Sequence, residues 1–232
     1  MQSVMPSLSC TLVSAHVRQY FLHLFLWFYE YLLLLARGPR RVFSKISVQG
    51  ENFLETVLEQ GHGAIIYGPG MGNILYYIGF IAQRYPLLVV TSDQLYIRMI
   101  AELGSLPGTD VTISSPDATD CTARMKRHLS ANGVVLLLAE SDAAVSVKHT
   151  VIEEHLLIDA LTFWHGQASI IPFCGYRLDR LSHKVAFGPL MFAKDCEDPL
   201  SATLARREAV DLMTALVQYQ PHQWPRWNKN GA

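Results

Sequence analysis

Short apolar runs alternate with longer mixed stretches along most of this chain, and the two kinds of segment have different periods. The short runs predict strands at Ile46–Val48, Ala64–Tyr67, Leu87–Thr91, Val111–Ile113, Val134–Leu138, Ser169–Phe173 and Val185–Phe187. The mixed stretches predict helices over Asn52–Gln60, Ile74–Arg84, Leu95–Leu103, Asp117–Ala131, His155–His165 and Leu200–Gln220. Strands separated by helices predict an α/β fold: a mixed, mostly parallel sheet flanked by helices. Val134–Leu138 is apolar throughout, as a strand buried on both faces must be. Asp117 with Thr119 marks a helix start, and Asn132-Gly133 a helix stop.

The N-terminal region follows another pattern. Residues 1–16 read as a loose leader without the basic start and small-residue cleavage site of a signal peptide. Between Arg18 and Arg37 lies an almost unbroken apolar segment, interrupted by His23 and Glu30. As a helix it would be about 27 Å long, marginal for a hydrocarbon core of about 30 Å. Glu30 would be costly at the bilayer centre. Trp27, Tyr29 and Tyr31 suit a membrane interface, and Arg37, Arg40 and Arg41 suit anionic headgroups. The segment is expected to associate with a membrane, lying in the interface or, less in keeping with Glu30, spanning as a short anchor; the alternative is an apolar helix buried on its own domain or on a partner. Gly38-Pro39 ends it. The organisation expected is a leader and membrane-associating helix over residues 1–41 and one α/β domain over 42–232.

Composition sharpens this picture. Charged residues are 17% of the 232, below the roughly 25% of ordinary soluble domains, and mean hydropathy is +0.18. Net charge is −1, so nucleic acid is not the expected partner. Cys10, Cys121, Cys174 and Cys196 are far apart and form neither a disulfide framework nor a zinc pattern, so reduced thiols are expected.

Between a predicted strand and helix lies Gly68-Pro69-Gly70-Met71-Gly72-Asn73. Glycines there let backbone approach a ligand, and the following helix start offers amide donors. A plain tight turn has the same composition. The turn is neither G-x-G-x-x-G nor a Walker loop.

The order of elements around the turn carries a resemblance. Val48-x-Gly50-Glu51 leads a helix, Gly61-x-Gly63-Ala64-Ile65-Ile66 leads a strand, and Gly72-Asn73 opens a helix. Asn132-Gly133 precedes an apolar strand and the acidic turn Glu140-Ser141-Asp142; Pro172 ends a further strand; Pro221-His222-Gln223-Trp224 with Trp227 and Lys229 closes the chain. Over residues 18–230 this resembles the lipid A biosynthesis acyltransferases of the lysophospholipid acyltransferase superfamily. The resemblance implies an acyl donor on acyl carrier protein or coenzyme A, a lipid acceptor, no further cofactor, and the cytoplasmic face of a membrane. Gly70, Gly72, Asn73 and Asp142, in the turns that carry the resemblance, and Arg177, after the Ser169–Phe173 strand, are the substrate-binding candidates.

One departure bears directly on chemistry. The family's His-x4-Asp/Glu dyad supplies a general base and the carboxylate that orients it. Aligning Gly72-Asn73 with the family's Gly-Asn puts Gly70 and Leu75 at the dyad positions. The one literal His-x4-Glu pair elsewhere is His149 with Glu154, and with 9 histidines and 20 acids a single match is what chance supplies. They are the catalytic candidates nonetheless, with His155 beside them, against a solvated loop. His149, Glu153 and His155 have metal-binding chemistry but no zinc spacing, so no metal is expected. Arg177 could bind a phosphate or carrier acid, or pair with an acid such as Asp179. Two functions follow. One is an acyltransferase-like enzyme with a non-standard site or an amine acceptor. The other is an inactive acyl-chain or carrier-binding protein on the same fold.

Overall fold

The computed structural model describes residues 10–116, 118–138, 168–179, 182–190, 215 and 221–223. The predicted helices at 155–165 and 200–220 lie outside these residues except for position 215, and so do His149, Glu154, His155 and Asp142.

The elements are α1 (Cys10–Arg37), α2 (Pro39–Phe43), β1 (Ile46–Gln49), α3 (Glu51–Glu59), β2 (Ala64–Gly68), α4 (Ile74–Ala82), β3 (Leu87–Val90), α5 (Gln94–Gly104), β4 (Val111–Ser114), α6 (Cys121–Ser130), β5 (Val134–Leu138), β6 (Ser169–Arg177) and β7 (His183–Phe187). The strands form one sheet in the order β1-β7-β6-β2-β5-β3-β4. Among the described strands, only β6 and β7 pair antiparallel. The sheet is therefore mixed and mostly parallel, with helices on its faces, as the alternating pattern predicts. β2 sits at the centre between β5 and β6, buried over its whole length. Its residues Ala64–Gly68 face Val134–Leu138 of β5 one to one.

Most boundaries shift by a residue or two from the sequence reading, and three differ for a physical reason. α1 begins at Cys10, so part of the expected leader is helical; no glycine or proline interrupts the chain between Cys10 and Arg37. α6 begins at Cys121, beyond the predicted start, because Ala118 and Cys121 donate to the Ser115 and Ala118 carbonyls and form turns first; Asp117 itself lies outside the described residues. β6 does not end at Pro172. Its ladder with β2 stops at Tyr67–Pro172, where the proline has no N–H to give, and from Phe173 to Arg177 the strand pairs with β7 instead.

α4 is buried at every position, so it lies between the sheet and an outer layer. That layer includes α1, whose Tyr31 and Leu34 join the core. Phe43 of α2 packs edge-on against Tyr76 and Phe80 of α4. Asp93 caps α5 by accepting from the Leu95 and Tyr96 amides at 2.9 and 3.3 Å. Cys121 and Cys174 are free and buried, and burial pushes the Cys174 thiol up to about 12.

Candidate functional site

The Gly68–Asn73 turn lies at the C-terminal edge of β2, the edge where open α/β sheets bind ligands. It is packed tightly. A Cβ on Gly68 would stand 1.7 Å from the Phe173 carbonyl oxygen. Gly72 has φ +60°, and a Cβ there would stand 2.4 Å from Tyr77 Oη. Both positions need glycine, for space in the first and for space and backbone angle in the second.

Asn73 closes the turn. Its side-chain oxygen accepts from the Tyr76 amide at 3.4 Å and caps α4. Its Nδ2 donates to Glu30 Oε2 at 2.9 Å and to the Trp27 carbonyl at 3.4 Å. Asn73 thereby ties α1 to the sheet edge.

Glu30 is the centre of the arrangement and is wholly buried. Oε1 accepts from Arg177 Nε and His183 Nε2, each at 3.0 Å. Oε2 accepts from Asn73 and from Arg177 Nη2. Four accepted bonds fill a carboxylate's capacity. Burial alone would raise the Glu30 pKa, but hydrogen bonds from His183 and Arg177 outweigh it and hold the carboxyl below its ordinary range. Arg177 and His183 are register partners at the far end of the β6–β7 pair, so the hairpin presents both to the same carboxylate. In its neutral form His183 donates through Nε2 and accepts the Tyr77 hydroxyl through Nδ1, at 3.0 Å. Tyr76 Oη donates to the Glu30 carbonyl at 2.9 Å.

His23, seven residues before Glu30 and on the same helix face, meets Arg177 Nη1 through Nδ1. Arginine only donates, so Nδ1 is the acceptor and the ring is neutral. Burial first, then the neighbouring Arg177 charge, pushes its pKa down to about 3. The 3-10 turn Pro221–Gln223 completes the cluster. Gln223 Oε1 accepts from the Arg177 amide at 2.7 Å, its Nε2 donates to the Arg177 carbonyl at 2.8 Å, and its own carbonyl accepts from the Gly72 amide at 2.9 Å. A cleft of about 230 Å³ opens beside these groups, with Arg177, His23 and Gln223 among its polar walls and Leu22, Leu26 and Leu178 among its apolar ones.

Four sequence candidates therefore come together: Gly70, Gly72 and Asn73 in the buried turn and Arg177 facing it through Glu30. His149, Glu154 and Asp142 lie outside the described residues. Leu75, which the resemblance puts at the dyad's acid position, is fully buried. Glu30, His183, Tyr77 and Gln223 were not singled out as site residues. The available signal was the seven-residue spacing of His23 and Glu30, which puts two polar groups on one face of an apolar helix.

α1 buries His23, Glu30, Tyr31 and Leu34 and exposes Phe21, Phe25, Phe28, Leu32 and Leu35. Its Val17–Arg37 segment is long and apolar enough to cross a membrane. Compared with known proteins, the chain matches no family model and no curated relative.

Proposed function

We propose that this chain is an acyltransferase-like protein of a membrane surface. It takes an acyl group from a thioester, on acyl carrier protein or coenzyme A, and delivers it to an amine or lipid acceptor at the cytoplasmic face. One observation carries this reading: the glycine turn sits at the C-terminal edge of the central parallel strand, against a helix with a continuous exposed apolar face. An amphipathic substrate could reach that edge without leaving the lipid surface.

The chemistry must work without the dyad, since Gly70 and Leu75 occupy its positions. A free amine needs no general base to attack. Its lone pair forms the C–N bond, the C–S bond breaks, and the amine proton leaves with the sulfur as thiol. The protein then contributes orientation of the two reactants. A hydroxyl acceptor would need a base from elsewhere, and His149 with Glu154 is the candidate pair.

A second reading is acyl-chain or carrier binding without transfer. It is favoured by the engagement of the turn itself: the Gly72 amide is bonded to Gln223, and Arg177 and Asn73 are committed to Glu30.

Incubating the full chain with acyl carrier thioester or acyl-coenzyme A, and with matched amine and alcohol acceptors, separates the readings by intact mass. Acylated amine without acylated alcohol supports the amine mechanism. Equal transfer to both refutes it, and loss of that transfer in His149→Ala assigns a relocated base. Retention of donor without turnover, for every acceptor, leaves the binding protein.

A further inference from the structure

The exposed side of α1 is ordered. Phe21, Phe25, Phe28, Leu32 and Leu35 recur at intervals of four and three residues and form one stripe, with exposures from 45% to 68%. The stripe is about 21 Å long at 1.5 Å per residue. The acid of the same helix, Glu30, points the other way and is neutralised by Arg177. The charges flanking the stripe are cationic: Arg18 before it, and Arg37, Arg41 and Lys45 after it, all exposed.

At the C-terminal end of the stripe a cleft of about 520 Å³ opens between the α1–α2 elbow, the end of α4 and the loop before β4. Its walls include Arg37, Arg41, Gln83, Gly38 and Gly108. Among the described residues no carboxylate lines it. A Cβ on either glycine would meet nothing within 4 Å, so the cleft is open at both walls. Gln83 follows α4 and Gly108 precedes β4, so this cleft lies at the N-terminal edge of the sheet, opposite the Gly68–Asn73 turn. α1 runs from one edge to the other.

We propose that this cleft holds the phosphate of an anionic lipid headgroup while the Phe21–Leu35 stripe lies in the acyl boundary of the same leaflet. Two guanidinium groups match a phosphate in charge and fork geometry. The stripe sets the depth, because a helix buried on its apolar face leaves its ends at headgroup level. The Glu30–Arg177 bond sets the orientation. It fastens the middle of α1 to the β6–β7 hairpin, so α1 lies flat as a docking element and does not span. The inference rests on the membrane-surface part of the proposed function and is independent of acyl transfer.

The test is co-sedimentation of the full chain with vesicles of phosphatidylcholine alone or with added phosphatidylglycerol. Arg37→Ala/Arg41→Ala is compared with Arg18→Ala/Lys45→Ala, which removes equal charge outside the cleft. Two surface charges at about 1 kcal/mol each are worth about 30-fold on anionic vesicles. The cleft pair is expected to lose several-fold more than the control pair, and to lose nothing on phosphatidylcholine. Equal losses would overturn the cleft in favour of a diffuse basic field. Competition by millimolar inorganic phosphate would overturn the lipid source. Resistance to alkaline carbonate extraction would overturn the flat orientation. Phe25→Ser/Phe28→Ser should weaken binding to both vesicles; if it weakens neither, the membrane reading itself fails.

Discussion

The middle of α1 and its C-terminal end use arginine in opposite ways. Near its middle, Arg177 is buried against Glu30, and every oxygen lone pair of that carboxylate has a donor. At and just beyond its C-terminal end, Arg37 and Arg41 stand exposed around an open cleft that no carboxylate lines among the described residues. A buried ion pair is expensive to desolvate and holds only when its remaining hydrogen bonds are made. An exposed arginine costs little to keep and is free for a partner. The same residue type is therefore a fastener at one site and a reader of outside charge at the other. The difference is set by how many donors and acceptors the fold gathers, not by the local sequence.

The largest effect should come from breaking the fastener on one side only. Glu30→Ala leaves Arg177 and His183 buried without their shared acceptor, and a loss of about 3–5 kcal/mol in urea unfolding is expected. Removing both charges, as Glu30→Met/Arg177→Met, should recover much of that loss, because no unpaired charge is left inside. A single-variant cost below about 1 kcal/mol would mean that the pair is solvated and that the contrast between the two sites does not hold.

That contrast was only half legible in the sequence. The strands were legible because a buried parallel sheet needs continuous apolar runs: Val134–Leu138 has the bounds the pattern predicts, and the others differ by a few residues at their ends. The glycine turn was legible because only glycine fits at Gly68 and Gly72. Glu30 was legible only as an interruption. What makes it stable comes from Asn73, Arg177 and His183, which lie 43, 147 and 153 residues away in the chain. Helical periodicity carries no trace of such contacts. His183 escaped for a second reason: the apolar run of β7 starts at Val185, while the strand starts two residues earlier.

Acid should loosen the closed end before the open one. The unfolded His23 imidazole takes a proton near 6.5, the folded one only near 3. Between those values the unfolded chain binds the extra proton. Stability should therefore fall as pH falls from about 6.5, by at most about 1.4 kcal/mol per pH unit from this group. Glu30 acts lower. Its folded pKa lies below the ordinary 4.5, so its contribution is complete above 4.5 and disappears as pH drops through the folded value. His23→Gln, whose amide oxygen can still accept from Arg177, should flatten the profile between about 4.5 and 6.5 and leave the steeper acid limb. Parallel urea midpoints for the two proteins across that window would refute the assignment. Arg37→Ala/Arg41→Ala should follow the wild-type profile.

A smaller effect tests how far the closed network extends. Tyr77→Phe removes the hydroxyl that His183 Nδ1 meets and should cost about 1–3 kcal/mol, the range for a buried polar group left unpaired. Gly72→Ala drives a methyl toward the same hydroxyl, so the two substitutions should be less than additive. Strict additivity would show that the turn and the network do not share this contact.

The smallest effect belongs to a fourth arginine, which stands between the two extremes. Arg84 Nε lies 3.5 Å from Glu51 Oε1, with the side chains 40% and 30% exposed. Its guanidinium also lies 3.7 Å from the centre of the buried Phe80 ring. An exposed ion pair is worth at most about 1 kcal/mol and is screened by salt. A cation over an aromatic face adds about 0.5–1 kcal/mol and depends less on the carboxylate. Glu51→Gln should therefore change stability by less than about 0.5 kcal/mol, and that small change should vanish in high salt. Arg84→Ala should cost more than Glu51→Gln, because it also uncovers Phe80. If Glu51→Gln instead costs as much as Glu30→Ala, burial is not what separates the fastening arginine from the free ones.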